Sequence, residues 1–178
     1  MPARNRAFFE LTVKTVVVHT VTYFIVGLIA FTIFDYSAKF AEPALAAFMR
    51  PTDDPIVALG PALQPIRGVL FALAFYPLWE PLFRRKNGWL VTWSLLVILG
   101  IFSTFAPAPG SVEGLIYTRL PFHSQLSGGL LEVLVQSFAL AGLLYYWINH
   151  PQARWLNWVL GVLFAFAVLL PLLGTFLA

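Results

Sequence analysis

Apolar residues run along this chain in long unbroken blocks, without the alternation of a half-buried strand or the narrow stripe of a soluble helix. Five blocks are long enough, at about 1.5 Å per helical residue, to cross about 30 Å of hydrocarbon. They are Val13–Phe34, Leu63–Phe83, Trp89–Ala106, Gln125–Ile148 and Trp155–Phe176. The pattern predicts an all-α fold, a polytopic transmembrane bundle of about five helices forming one integral membrane domain over residues 1–178. Two long connections, 35–62 and 107–124, lie on the same side of that bundle.

Composition agrees with the pattern. Of 178 residues, 60% are hydrophobic and 11% charged, with a mean hydropathy of +0.81. A soluble domain carries about 25% charged residues. So few charges cannot cover a 19.9 kDa soluble core, and so apolar a chain is not disordered. Glycine and proline show no fixed period, which excludes a fibrous repeat. The chain has no cysteine, which removes disulfides, thiolate metal sites, iron–sulfur clusters and thiol nucleophiles together. The first block, of about 22 residues, exceeds the ~7–15 apolar residues of a signal peptide, and no small-residue cleavage site clearly ends it. It is expected to stay as the first span.

The basic residues set an orientation. With the N-terminus in the cytoplasm, Arg4, Arg6, Lys14, Arg84, Arg85, Lys86 and Arg154 fall inside, and Lys39, Arg50 and Arg119 outside. Asp35, Glu42, Asp53, Asp54 and Glu113 also fall outside, so the C-terminus is expected outside. Trp79, Trp89, Trp147 and Trp155 lie at the cytoplasmic borders, where indoles favour the interface. The expected location is a bacterial inner membrane.

The outer connections carry their own signals. Ser37–Met49 suits an amphipathic surface helix with Phe40, Leu45, Phe48 and Met49 on its apolar side. Pro51, Pro55, Pro61 and Pro65 are expected to prevent a continuous helix beyond it. The second connection contains Pro107-Ala108-Pro109-Gly110 and Gly114. Whether these stretches cap the bundle or are solvated connectors stays open here. A faint repeat relates Trp89-Leu90-Val91-Thr92-Trp93 to Trp155-Leu156-Asn157-Trp158, each leading to a Pro-x-x-Gly near the outer end.

Function is sought where polar groups sit in apolar spans, because intramembrane charges are rare and usually paired. Arg67 lies about one turn into the second block and Glu132 about two turns into the fourth, at matched depth. Gly68 beside one and Gly128 and Gly129 near the other would allow close approach. An Arg67–Glu132 ion pair is therefore expected, either a packing lock or part of a site. Gln125, Gly129, Glu132 and Gln136 share one helical face, and Thr12, Thr15, His19 and Thr22, with Tyr23 nearby, form another stripe. Both faces should point inward, toward interhelical hydrogen bonds or a polar cavity. The candidate buried site is Arg67, Glu132, Gln136, Gln64, His19 and Glu80. His19 is a proton acceptor or a satisfied core histidine. Glu80 sits between Pro77 and Pro81, where a broken helix frees carbonyls, yet Arg84 four residues on offers an ordinary interfacial partner. Glu113, Arg119 and His123 form a second candidate site in the outer loops.

No motif names a chemistry. There is no phosphate-binding Gly-x-x-x-x-Gly-Lys, no Gly-x-Ser-x-Gly and no His-Glu-x-x-His. His19, His123 and His150 fall at different depths, so no metal and no cofactor is expected. The expected partners are membrane lipids, with Arg84-Arg85-Lys86 at anionic headgroups, and a homo-oligomer or a membrane partner protein; nucleic acid is not expected. Three functional classes follow. The favoured one is a small transporter or channel-like protein with an Arg67–Glu132 site open to the outer face. The others are a non-catalytic membrane subunit or assembly factor, and an enzyme acting on a lipid or isoprenoid at the outer headgroups.

Overall fold

The computed structural model describes residues 3–47, 49–126 and 128–177. Phe48, expected on the apolar side of a loop helix, and the side chain of Arg4 lie outside the described residues. The protein is 80% helical, with no strand among the described residues. Three helical stretches are long and apolar enough to cross a membrane: Asn5–Ile33, Phe122–Asn149 and Arg154–Phe176.

Helix α1 spans Ala3–Ile33 and begins ten residues before the first apolar block. Its first turns are polar but contain no proline or glycine, so the backbone hydrogen bonding continues through them. Asp35 then takes a left-handed backbone, φ 45°, and its carboxylate accepts from the Ala38 N–H. Aspartate tolerates this conformation better than most residues, which makes a sharp turn. Two short helices follow, α2 (Tyr36–Phe40) and α3 (Pro43–Ala46), in place of one helix over Ser37–Met49. Pro43 removes the N–H that would join them and starts the second instead.

Proline placement also corrects the expectation for the next stretch. Pro55 opens α4 (Pro55–Ala58), Pro61 lies in the first turn of α5 (Gly60–Phe75), and Pro65 lies inside that helix. A proline in a first turn costs no hydrogen bond, because those N–H groups have no helical partner. The helix breaks at its other end. Pro77 brings a 3₁₀ turn over Tyr76–Leu78, and Pro81 a π turn over Glu80–Arg84. Helix α6 (Gly88–Val97) likewise ends in a π turn, Ile98–Phe102, with the Ser103 N–H donating to the Ile98 carbonyl at 2.8 Å. By helix length alone, these two interrupted segments fall short of a span. After them come α7 (Val112–Tyr117), α8 (Phe122–Gln125), α9 (Gly128–Asn149) and α10 (Arg154–Leu177).

Side-chain contacts give the packing. Tyr23 lies by Gly60, His19 bonds Gln64, and Phe8 meets Tyr76, so α5 runs antiparallel to α1. Thr22 meets Gln136 and Lys14 meets Trp147, so α9 is also antiparallel to α1. Trp93 donates to the Leu134 carbonyl and Trp89 packs on Phe138, setting α6 antiparallel to α9. Helix α1 is the central element and packs on α5, α9 and α10. Gly68 explains the closeness of one pair: a Cβ there would lie 2.6 Å from the Val16 Cα. Its partner is thus α1, and not the fourth apolar block as expected.

The core gathers at one end. Leu11, Phe75, Leu82, Phe83, Leu144, Trp147 and Leu156 are buried together around the N-terminal half of α1. Lys14 closes this end: its ammonium pairs with Glu10 at 2.7 Å, reaches the Trp147 carbonyl at 3.4 Å and lies 5.7 Å from that indole's centroid. Trp147 donates in turn to Asn157 at 2.7 Å, which ties α9 to α10. Outward, the surface is apolar, with Ile66, Trp158 and Phe166 all well exposed, as expected of a bundle solvated by lipid.

Candidate functional site

Polar side chains from three helices meet in the middle of the bundle. His19 is fully buried on α1. Its Nε2 lies 3.0 Å from Gln64 Oε1 on α5, and its Nδ1 lies 3.2 Å from Gln136 Nε2 on α9. An amide nitrogen donates and an amide oxygen accepts, so Nδ1 is the acceptor and Nε2 carries the proton. The imidazole is therefore held as one neutral tautomer, with both nitrogens satisfied. Gln136 Nε2 also donates to Thr22 Oγ1 at 3.3 Å, and Gln64 Nε2 donates to the Gly60 carbonyl at 3.1 Å. The network knits α1, α5 and α9 together where a backbone of apolar contacts alone would not specify register. Thr22 itself bonds back to the Val18 and His19 carbonyls, whereas the buried Thr15 and Thr20 hydroxyls have no partner among the described residues.

Two cavities flank this network. The larger, about 670 Å³, lies at the C-terminal end of α1 under the 36–61 connection. Its wall includes Tyr23, Gly27, Phe31, Tyr36, Ile56 and Glu132. Tyr36 donates its hydroxyl to Glu132 Oε2 at 2.5 Å. Burial raises the Tyr36 phenol well above its usual range, and the bond to Glu132 adds to that. Arg50 in the same wall is paired with Asp54 at 2.9 Å. The Ile56 N–H and then Arg50 hold the Asp54 carboxyl below the usual carboxylate range. The smaller cavity, about 320 Å³, is lined by Arg67, Phe71, Gln125, Gly129 and Gln136 among others. Gln125 donates to the Leu120 carbonyl there, while its buried Oε1 has no partner among the described residues.

The expected Arg67–Glu132 ion pair is not formed. Among the described residues the ion pairs are Lys14–Glu10 and Arg50–Asp54. Each side chain takes another partner. Helices α5 and α9 pack mainly on α1, Arg67 turns onto the Phe71 ring at 5.4 Å, and Glu132 turns to Tyr36. The two charges thus line different cavities. Glu80 is exposed in its π turn and has no ion pair with Arg84, because the wider turn alters the four-residue spacing. Glu113, Arg119 and His123 share no hydrogen bond or ion pair among the described residues; Arg119 and His123 are exposed. The 107–120 loop is instead held by Ser111, which donates to the Ala108 carbonyl and accepts from the Gly114 N–H.

Tyr36 is the residue of the candidate site that sequence reasoning missed. The available signal was Asp35: a left-handed turn directly after α1 folds the next residue back over the helix end. Comparisons with protein-family models, with curated proteins and with solved structures return no match.

Proposed function

We propose that this chain is a five-span inner-membrane protein, N-terminus in the cytoplasm and C-terminus outside, acting as a small transporter or channel-like protein. Its solute site is the Glu132 cavity. The observation that carries this reading is the asymmetry of the bundle. One end is closed by packed apolar side chains and Lys14, and the other holds a cavity of about 670 Å³ with a carboxylate in its wall. Pockets of about 300–1,000 Å³ with apolar walls and a few convergent polar groups are those that take small molecules. The tally of basic residues turns the cavity end outward. The interrupted segments 60–84 and 88–102 supply the second and third spans in this reading, since lipid-exposed irregular turns are tolerated near the ends of a span.

The reading is tested in proteoliposomes. Flux of a panel of small organic solutes should be saturable for at least one of them. Gly27→Leu should block it, because a Cβ at Gly27 points at Glu132, 3.5 Å from Oε1, and a longer side chain fills the cavity. Flux that is absent for every solute, or unchanged in Gly27→Leu, contradicts the proposal.

A further inference from the structure

We infer that the larger cavity takes an organic cation with an apolar body; this rests on reading it as the solute site. Three features of the wall point the same way. The first is the state of its charges. Arg50 is already matched by Asp54 at 2.9 Å, so Glu132 is the carboxylate left without a cation. Tyr36 occupies one of its oxygens, and no hydrogen bond to the other, Oε1, is found among the described residues. Oε1 instead faces Gly27, which has no side chain to cover it. A carboxylate in an apolar wall is costly to leave so poorly matched. A bound cation would supply the missing partner.

The second feature is aromatic. Tyr23, Phe24, Phe31, Tyr36 and Phe40 all line the cavity. Tyr36 stacks on Phe40 with centroids 5.3 Å apart and meets Phe31 edge-to-face at 6.4 Å, which holds these three rings together in the wall that also carries Glu132. Ring faces attract cations, and quaternary ammonium groups in particular are held by such walls. An organic anion would meet the same faces and Glu132 with the wrong sign. The third feature is size: about 670 Å³ exceeds what an inorganic ion needs and suits a body with several apolar groups.

The probes are radiolabelled tetraphenylphosphonium and the size-matched anion tetraphenylborate, applied to the purified full-length chain in detergent by equilibrium dialysis. Tetraphenylphosphonium should bind saturably and tetraphenylborate should not; this comparison needs no variant. Glu132→Gln should weaken the cation at least tenfold, Glu132→Asp only a few-fold, and Phe31→Ala about threefold. Elution profile and melting temperature check that each variant is folded. Equal binding of both probes, or cation affinity unchanged in Glu132→Gln, overturns the inference. So does the absence of saturable tetraphenylphosphonium binding. The solute-site reading fails with it only if flux is absent for every solute or Gly27→Leu leaves it unchanged.

Discussion

The two ends of this bundle are built from similar residues and do opposite things. At one end Leu11, Phe83, Leu144 and Trp147 are buried together, and the buried Lys14 ammonium is engaged by Glu10 and the Trp147 carbonyl. At the other end lie the two cavities that Glu132 and Arg67 line, and neither charge has an ionic partner among the described residues. Apolar content does not separate the ends. Chain geometry does: near the sealed end α1, α5, α9 and α10 all converge, whereas at the open end a left-handed turn at Asp35 and two short helices roof the space instead of filling it. The His19 network lies between the two and bonds α1 to both α5 and α9.

That contrast can be broken at several points. The largest effect is expected at the α1–α5 crossing. Gly68→Leu places a side chain against the Val16 backbone, and overpacking of this kind costs about 3 kcal/mol or more. The folded monomer should be largely lost by size-exclusion and thermal unfolding in detergent; a melting temperature near wild type would mean the helices are not closely apposed. Next is the sealed end. Leu144→Ala should cost about 2 kcal/mol, the low end of the soluble-core range, because lipid removes the water-transfer contribution and leaves only the lost packing. A substitution at the open end, Val57→Ala, should cost far less by the same unfolding assay. Equal losses at the two positions would erase the distinction.

Smaller still is the network between them. His19→Ala leaves Gln64 and Gln136 each without one partner and should cost about 1 kcal/mol, typical of interhelical polar contacts in membranes. In a cycle with Gln136→Ala, the double variant should be less harmed than the sum of the singles. The smallest effect is the most specific. Because Arg67 and Glu132 form no ion pair and turn to different rings, alanine at each should show a coupling below about 1 kcal/mol. A coupling above about 1 kcal/mol would restore the direct pair.

The residue pattern told much about class and less about partners. Five apolar blocks correspond to α1, the 60–84 and 88–102 segments, α9 and α10, because block length and apolarity are properties of each segment alone. The polar faces of α1 and α9 were legible for the same reason: spacing places His19, Thr22 and Gln136 on inward faces, and they do meet. Pairing between helices was not legible. Matched depth and opposite charge favoured Arg67 with Glu132, but those cues ignore the competing partners Phe71 and Tyr36, to which the two side chains turn. Nor did spacing within one helix show that His19 reaches Gln64 near the start of α5. Tyr36 escaped because its role depends on the turn at Asp35, which is a matter of one backbone dihedral. The helix breaks at Pro77 and Pro81 were readable, while the π turn at Ile98–Phe102 has no proline and was not.

The absence of cysteine makes the central claim, an open end facing outward and a sealed end behind it, directly measurable. Single cysteines at Gly27 and Val57, which line the larger cavity, and at Ala72 and Leu144, which are fully buried, can be labelled in proteoliposomes with a membrane-impermeant methanethiosulfonate reagent. The account predicts rapid labelling at Gly27 and Val57 from the outer side and none at Ala72 and Leu144 from either side. Labelling of Leu144 as fast as Gly27, or of Gly27 only from the cytoplasmic side, would contradict it.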